Sequence, residues 1–318
     1  MSVNSNPTQD SKKSSRPSAW QIGACLLAVY VVWGTTYFAI KVGIEGFPPF
    51  FLVGTRFVLA GGLLLGWQAL RGGTWPTLKQ WGGAALVGFL LLVIGNGGVT
   101  VAEHWVSSGA TVALISVMPL ATALWSCVFG DWPRRGEWIA IAVGAVGAAV
   151  MLLGRDLQAS LAGTLIILFG TACWSFGTVL SRRLDIPHGP TGFGAEMLTA
   201  GVMALAISAA LGEHWVLPSA PRVWWAWGYL VVFGSIIAFS AYRFLVERVS
   251  PTLAATYAYV NPPVGLCVGW LLGGETFSPN VLLGLPIVLT GVALHAWMSS
   301  RADVPQPMPK SPVAVSRL

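Results

Sequence analysis

Two stretches decide the fold when they are set side by side: VSSGATVALISVMP at residues 106–119 and VSPTLAATYAYVNP at residues 249–262. They align without a gap, from Val106-Ser107 on Val249-Ser250, through Val117 on Val260, to Pro119 on Pro262. Outward from this match, after one residue of slip, Gly130-Asp131 falls on Gly274-Glu275 and Gly147 on Gly291. Upstream, Trp33 and Lys41 have the same spacing of eight as Trp174 and Arg182, and Ala60-Gly61 match Ala200-Gly201. The matches keep their order along the chain, so the sequence reads as two related halves.

Composition says what kind of halves they are. Of the 318 residues, 55% are hydrophobic and only 9% are charged, against roughly 25% charged in an average soluble domain. Mean hydropathy is +0.70. This excludes a water-soluble enzyme, a disordered chain and a nucleic-acid binder. Uncharged runs cover 17–40, 57–70, 80–102, 105–130, 138–154, 157–181, 197–212, 223–242, 249–274 and 276–300. A membrane helix needs about 20 apolar residues. The second run reaches that length from Phe47 if it includes Arg56, and the seventh from Thr191 if it includes Glu196. The runs are continuous rather than alternating, which argues against a barrel. The reading is an all-α membrane protein of ten transmembrane helices. The first five-helix repeat covers 17–154 and the second 157–300, with disordered tails at 1–16 and 301–318.

Lys and Arg orient the chain. With the N-terminus inside, fourteen of the eighteen fall on the cytoplasmic side, Arg243 and Arg248 among them. Lys41, Arg155 and Arg222 fall outside, and Arg56 lies within a span. Both termini are then cytoplasmic. An odd number of spans per half inverts one half relative to the other, a transporter plan that places the site near the midplane between repeats.

None of the five aspartates lies within a span, the four histidines are isolated, and no G-x-x-x-x-G-K-[ST] loop is present. No catalytic residue, metal site, cofactor or nucleotide is expected. The polar residues inside spans are more informative. Trp33, Tyr37 and Lys41 lie along one stripe of the first helix, and Trp174, Thr178 and Arg182 along the matching stripe of the sixth. They read either as an aromatic, hydrogen-bonding cavity wall or as interhelical packing with snorkelling cations. Asn96 within Gly95-Asn96-Gly97-Gly98 either opens the third helix to a cavity or bonds to a packed neighbour. Pro119 and Pro262 fall mid-span at equivalent positions, where proline frees a carbonyl and kinks the helix. Tyr257 and Asn261 lie just before Pro262. Arg56 and Glu196 are the two ionisable residues read as lying well inside spans, at equivalent positions. Intramembrane charge faces a cavity or a partner. They could pair with each other, although inversion sets them on opposite sides of the midplane. Alternatively, Arg56 caps carbonyls or attracts an anionic group.

Trp33-Gly34-Thr35-Thr36-Tyr37-Phe38, Pro48-Pro49 and Arg56-Phe57 resemble the opening of the EamA-type members of the drug/metabolite transporter superfamily. Gly95-Asn96-Gly97, Val101-Ala102-Glu103-His104, Tyr257-Ala258-Tyr259-Val260-Asn261-Pro262 and Gly273-Gly274-Glu275-Thr276 continue the match in order. The resemblance covers about residues 20–300 and is similar to a bacterial inner-membrane exporter subgroup. It implies a multi-pass inner-membrane protein that exports small metabolites, amino acids or amphipathic compounds by alternating access. The substrate-binding set is then Trp33, Thr36, Tyr37, Asn96, Trp174, Thr178, Tyr257 and Asn261. Arg56, Pro119, Glu196 and Pro262 take structural or gating roles. Asp131 departs from the glutamate common at that position and reads as a residue that fixes a loop. The partners implied are a small-molecule substrate and the lipid bilayer, with a homodimer left open. One alternative is a facilitator or exchanger of phosphorylated metabolites. The other is a membrane scaffold or enzyme that transports nothing.

Overall fold

The computed structural model describes residues 18–106, 108–152, 160–273 and 279–302, which form helices and connecting turns with no extended sheet. In chain order the helices are α1 (Ala19–Gly43), α2 (Pro49–Leu70), α3 (Leu78–Ala102), α4 (Ser108–Ile115), α5 (Met118–Val128) and α6 (Arg135–Leu152). They continue as α7 (Leu161–Ser181), α8 (Pro190–Ala210), α9 (Pro221–Arg248), α10 (Pro251–Ala254), α11 (Tyr257–Gly273) and α12 (Pro279–Ala302). Six of them, α1, α2, α3, α7, α8 and α9, are long and apolar enough to cross a membrane. Their outward faces carry Leu63, Trp67, Phe169 and Trp225 in exposed positions. In water such a belt would be an aggregation surface, whereas hydrocarbon solvates it. The tail expected over 1–16, most of the one expected over 301–318, the half-boundary at 154–157 and Glu275 lie outside the described residues.

Local chemistry sets where the helices begin. Ser18 with Gln21 caps α1 by a reciprocal pair of side-chain bonds, and Thr77 with Gln80 does the same for α3. Helices α2, α8, α9 and α10 begin with proline, whose missing N–H is no loss in a first turn. Pro48 gives α2 no capping side chain. A carboxylate from the other half does the work: Glu213 accepts from the amides of Phe50 (3.1 Å) and Phe51 (2.9 Å). Negative charge at a helix start is favourable in its own right. At the opposite end of the bundle, Asp131 receives Arg183 at 2.7 Å, and the same guanidinium reaches the Phe129 carbonyl at 3.1 Å. Asp131 therefore fastens a loop.

Two crossings hold the bundle together, α2 on α8 and α6 on α12. In both, glycine lets backbone touch backbone. A β-carbon added at Gly61 would lie 2.5 Å from the Leu198 nitrogen and 2.7 Å from the Gly194 carbonyl oxygen. One added at Gly201 would lie 2.5 Å from the Val58 nitrogen and 2.9 Å from the Gly54 oxygen. Counterparts in the two sets are 140 positions apart, Gly61 with Gly201, Val58 with Leu198 and Gly54 with Gly194, so each helix offers the other what it receives. The second crossing repeats the pattern. Gly147 meets the nitrogen of Val288 and the oxygen of Gly284, and Gly291 meets the nitrogen of Gly144 and the oxygen of Ala140. Small residues at membrane helix crossings allow close van der Waals packing where no hydrophobic driving force operates.

Two helices are widened. Residues Phe89–Asn96 of α3 and Leu230–Ile237 of α9 form π-helical turns, a feature that marks functional sites. The prolines divide differently from the expectation. The helix breaks at Ser116-Val117, just before Pro119, which lies in the first turn of α5. Pro262 lies inside α11 with Pro263. The corresponding break in the second half comes earlier, between α10 and α11, where the Tyr30 hydroxyl meets Thr256 Oγ1 at 2.7 Å.

Candidate functional site

A cavity lies at the centre of the bundle, lined by α1, α2, α3, α4, α5, α7, α9 and α11. Trp33, Thr36, Tyr37, Arg56, Asn96, Trp174 and Tyr257 all border it. Thr178 and Asn261 do not line it and support its wall instead.

The wall is aromatic. Trp33 and Trp174 meet edge to face at 5.5 Å. Tyr257 packs on Trp33 at 4.7 Å, and Tyr242 touches Trp33 at 5.0 Å, Tyr257 at 5.6 Å and Trp174 at 5.7 Å. Edge-to-face geometry suits the ring quadrupoles. Each indole leans on the widened turn of the opposite half. Trp33 Nε1 donates to the Gly234 carbonyl at 3.0 Å, and a β-carbon at Gly95 would lie 2.8 Å from the Trp174 ring. The glycines beside Asn96 thus make room for Trp174. Trp174 Nε1 donates to the Tyr242 hydroxyl at 3.1 Å, and that hydroxyl is 2.6 Å from Thr178 Oγ1. Thr36 Oγ1 donates back to the Trp33 carbonyl at 2.7 Å. Asn261 is fully buried and turns its amide nitrogen to the carbonyls of Tyr30 (3.2 Å) and Tyr257 (3.1 Å). It stabilises the backbone around the proline pair rather than facing the cavity.

The charges are distributed otherwise than expected. Glu196 does not pair with Arg56. Its Oε1 lies 3.1 Å from Arg243 Nη2, with both side chains at least 96% buried. Arg243 was expected in a cytoplasmic loop, yet α9 continues to Arg248 and carries it into the bundle. Its Nη1 donates to Ser181 Oγ at 2.9 Å, so one guanidinium joins α7, α8 and α9. A span ending at Tyr242 already meets the length requirement, and so nothing in the composition demanded the extra turn. Tyr242, missed for the same reason, connects the ion pair to the wall. Arg56 stays alone: its guanidinium lies 4.3 Å from the Phe57 ring centroid, and its Nε and Nη1 have no hydrogen-bond partner among the described residues. Just beyond α3, Glu103 is also buried. Burial pushes its carboxyl well above the usual carboxylate range, and the charge of Lys41 opposes that shift. Among the described residues no group of three His, Cys, Asp or Glu side chains could hold a metal ion.

A bundle of apolar helices around a central aromatic cavity describes a membrane protein, and its relatives are transporters. The EamA-like transporter family matches residues 21–153 and again 161–297, and the chain belongs to that family, a multi-pass protein of the inner membrane. It is 43% identical over 270 residues to the inner membrane transporter YedA of Escherichia coli K12, covering 85% of this chain and 88% of YedA. It is 28% identical over 286 residues to the S-adenosylmethionine/S-adenosylhomocysteine transporter of Chlamydia muridarum, covering 83% of this chain and 87% of that protein. A solved crystal structure shares the fold, with a TM-score of 0.69 at 18% identity over 90% of this chain and 100% of its own.

Proposed function

We propose that the chain is a secondary transporter that exports small metabolites, amino acids or amphipathic compounds, across the inner membrane by alternating access. The architecture behind this reading is ten spans in two inverted five-helix repeats, 17–154 and 157–300, with both termini cytoplasmic. Helices α4 with α5, and α10 with α11, would each make one broken span. The observation that carries the reading is the reciprocity of the glycine crossings. Contacts that repeat under exchange of α2 with α8, and of α6 with α12, are what a pseudo-two-fold axis produces. The cavity then lies where inverted-repeat carriers bind solute, bordered by Trp33 of one half and Trp174 of the other. A relative named for a small metabolite points to the same size of cargo.

Alternating access needs one end closed while the other is open. Arg243 with Glu196 and Ser181 ties α7, α8 and α9 on one side of the aromatic wall, and opening that side means parting them. A carrier of phosphorylated metabolites is less well supported. Such a solute calls for several cavity cations, and Arg243 is already neutralised by Glu196.

The test is flux of candidate solutes into proteoliposomes, corrected for protein content. Trp33→Ala and Trp174→Ala should each lower flux or change solute preference by about tenfold or more, since buried tryptophan contacts carry about 2 kcal/mol or more of binding. Trp81→Ala, on a partly buried residue away from the cavity, should transport as the parent does. Wild-type flux in both cavity variants would reduce the wall to packing.

A further inference from the structure

Arg56 is 3% exposed, borders the cavity and has no carboxylate beside it. The buried acids among the described residues are Glu103 and Glu196. Glu196 is held by Arg243. Glu103 is not part of the cavity lining, and the cation near it is Lys41. The cavity therefore contains one positive charge with no carboxylate among the described residues to offset it. An unpaired buried charge is strongly unfavourable, and a guanidinium does not shed its proton to escape that cost.

The orientation of this charge is as informative as its isolation. Phe57 covers the guanidinium face at 4.3 Å. The in-plane Nε and Nη1 have no partner among the described residues, so their N–H groups remain for charge-assisted hydrogen bonds to a carboxylate. The rings of Trp33, Trp174 and Tyr257, set edge to face, line the same cavity with apolar surface. Asn96 Oδ1 is a buried acceptor without a partner, suited to a hydroxyl or N–H on the same solute.

The geometry points to Arg56 as the anchor of a carboxylate, and to a small aromatic monocarboxylate as the class of solute recognised here. The inference rests on the transport reading for its setting. An acid with one net negative charge neutralises Arg56, and its ring lies against the indoles. A zwitterion would bring a positive charge that meets no carboxylate on the cavity wall. A cationic amphiphile would face Arg56 directly.

The test is calorimetric titration of the purified full-length protein in detergent with 3-phenylpropionate, phenylalanine, 3-phenylpropionamide and 3-phenylpropylamine. These share a ring and a three-carbon chain and differ in charge. The acid should bind tightest, the amide about 30-fold weaker, as expected for losing hydrogen bonds to a charged group, and the amine not at all. Arg56→Gln should weaken the acid by about 30-fold and leave the amide within about twofold. Arg56→Lys should recover part of the loss, because it keeps the charge without the fork. If Arg56→Gln fails to fold, the ligand series on the parent and on Arg56→Lys still decides. Equal binding of acid and amide, tighter binding of phenylalanine than of the acid, equal weakening of all ligands in Arg56→Gln, or no binding by any carboxylate overturns the inference. Counterflow in proteoliposomes separates the two readings. Binding of the acid without flux upholds the anchor and removes the transporter. Flux without an Arg56-dependent preference for the acid removes the anchor alone.

Discussion

Replacing Arg243 by leucine should destabilise the protein by about 3–5 kcal/mol, read as a lower unfolding midpoint in detergent. The substitution leaves Glu196 fully buried with its charge unanswered, and it removes the donor that reaches Ser181 Oγ at 2.9 Å. Glu196→Leu should cost a similar amount by stranding the guanidinium. Carrying both changes at once should cost clearly less than the two single changes added together, because a buried ion pair recovers little more than its own desolvation. Additive losses in the double variant would show that the two groups act independently, despite lying 3.1 Å apart. Flux should fall in both single variants, since Tyr242, next to Arg243, bonds Trp174 and Thr178 in the cavity wall.

The second large effect belongs to the α2–α8 crossing. Gly61→Ala and Gly201→Ala each place a methyl group about 2.5 Å from a backbone nitrogen of the facing helix. Backbone cannot swing aside as a long side chain can, so the helices must separate. Overpacking of this kind costs about 1–3 kcal/mol, and valine at either position should cost more. Because the contacts are reciprocal, the two alanine variants should lose similar stability. Gly62, one residue from Gly61 but with open space around it, supplies the control: Gly62→Ala should be neutral or slightly stabilising, as expected where alanine replaces an unpacked helical glycine. Thermal unfolding in detergent gives all three numbers. A tolerant Gly201 beside an intolerant Gly61 would break the proposed symmetry.

Much of this architecture is legible in the chain because hydrocarbon imposes simple demands. Length and apolarity mark the long helices, and Trp33 and Trp174 stand out because their spacing to a cation repeats. Partner choice is less legible. Glu196 has two arginines as candidates, and which one it meets depends on how α8 and α9 are rotated and how far α9 extends. A window that stops a span at its first charge ends at Tyr242 and gives Arg243 to the aqueous phase. The two prolines show the same limit. Pro119 and Pro262 align in sequence, yet one starts a helix and the other lies inside one. The break directly precedes Pro119 but comes six residues before Pro262, so alignment alone does not give the two the same role. Glu213 was equally hidden, since a carboxylate that caps a helix 163 residues away leaves no local signal.

Both cavity indoles have their N–H groups engaged by the protein, Trp33 with the Gly234 carbonyl and Trp174 with the Tyr242 hydroxyl. The aromatic wall has no free indole donor with which to register the polarity of a guest. Its contribution belongs in heat capacity: enclosing an aromatic body should appear as a negative ΔCp on binding. The polar groups elsewhere in the cavity should dominate the difference in enthalpy between one guest and the next.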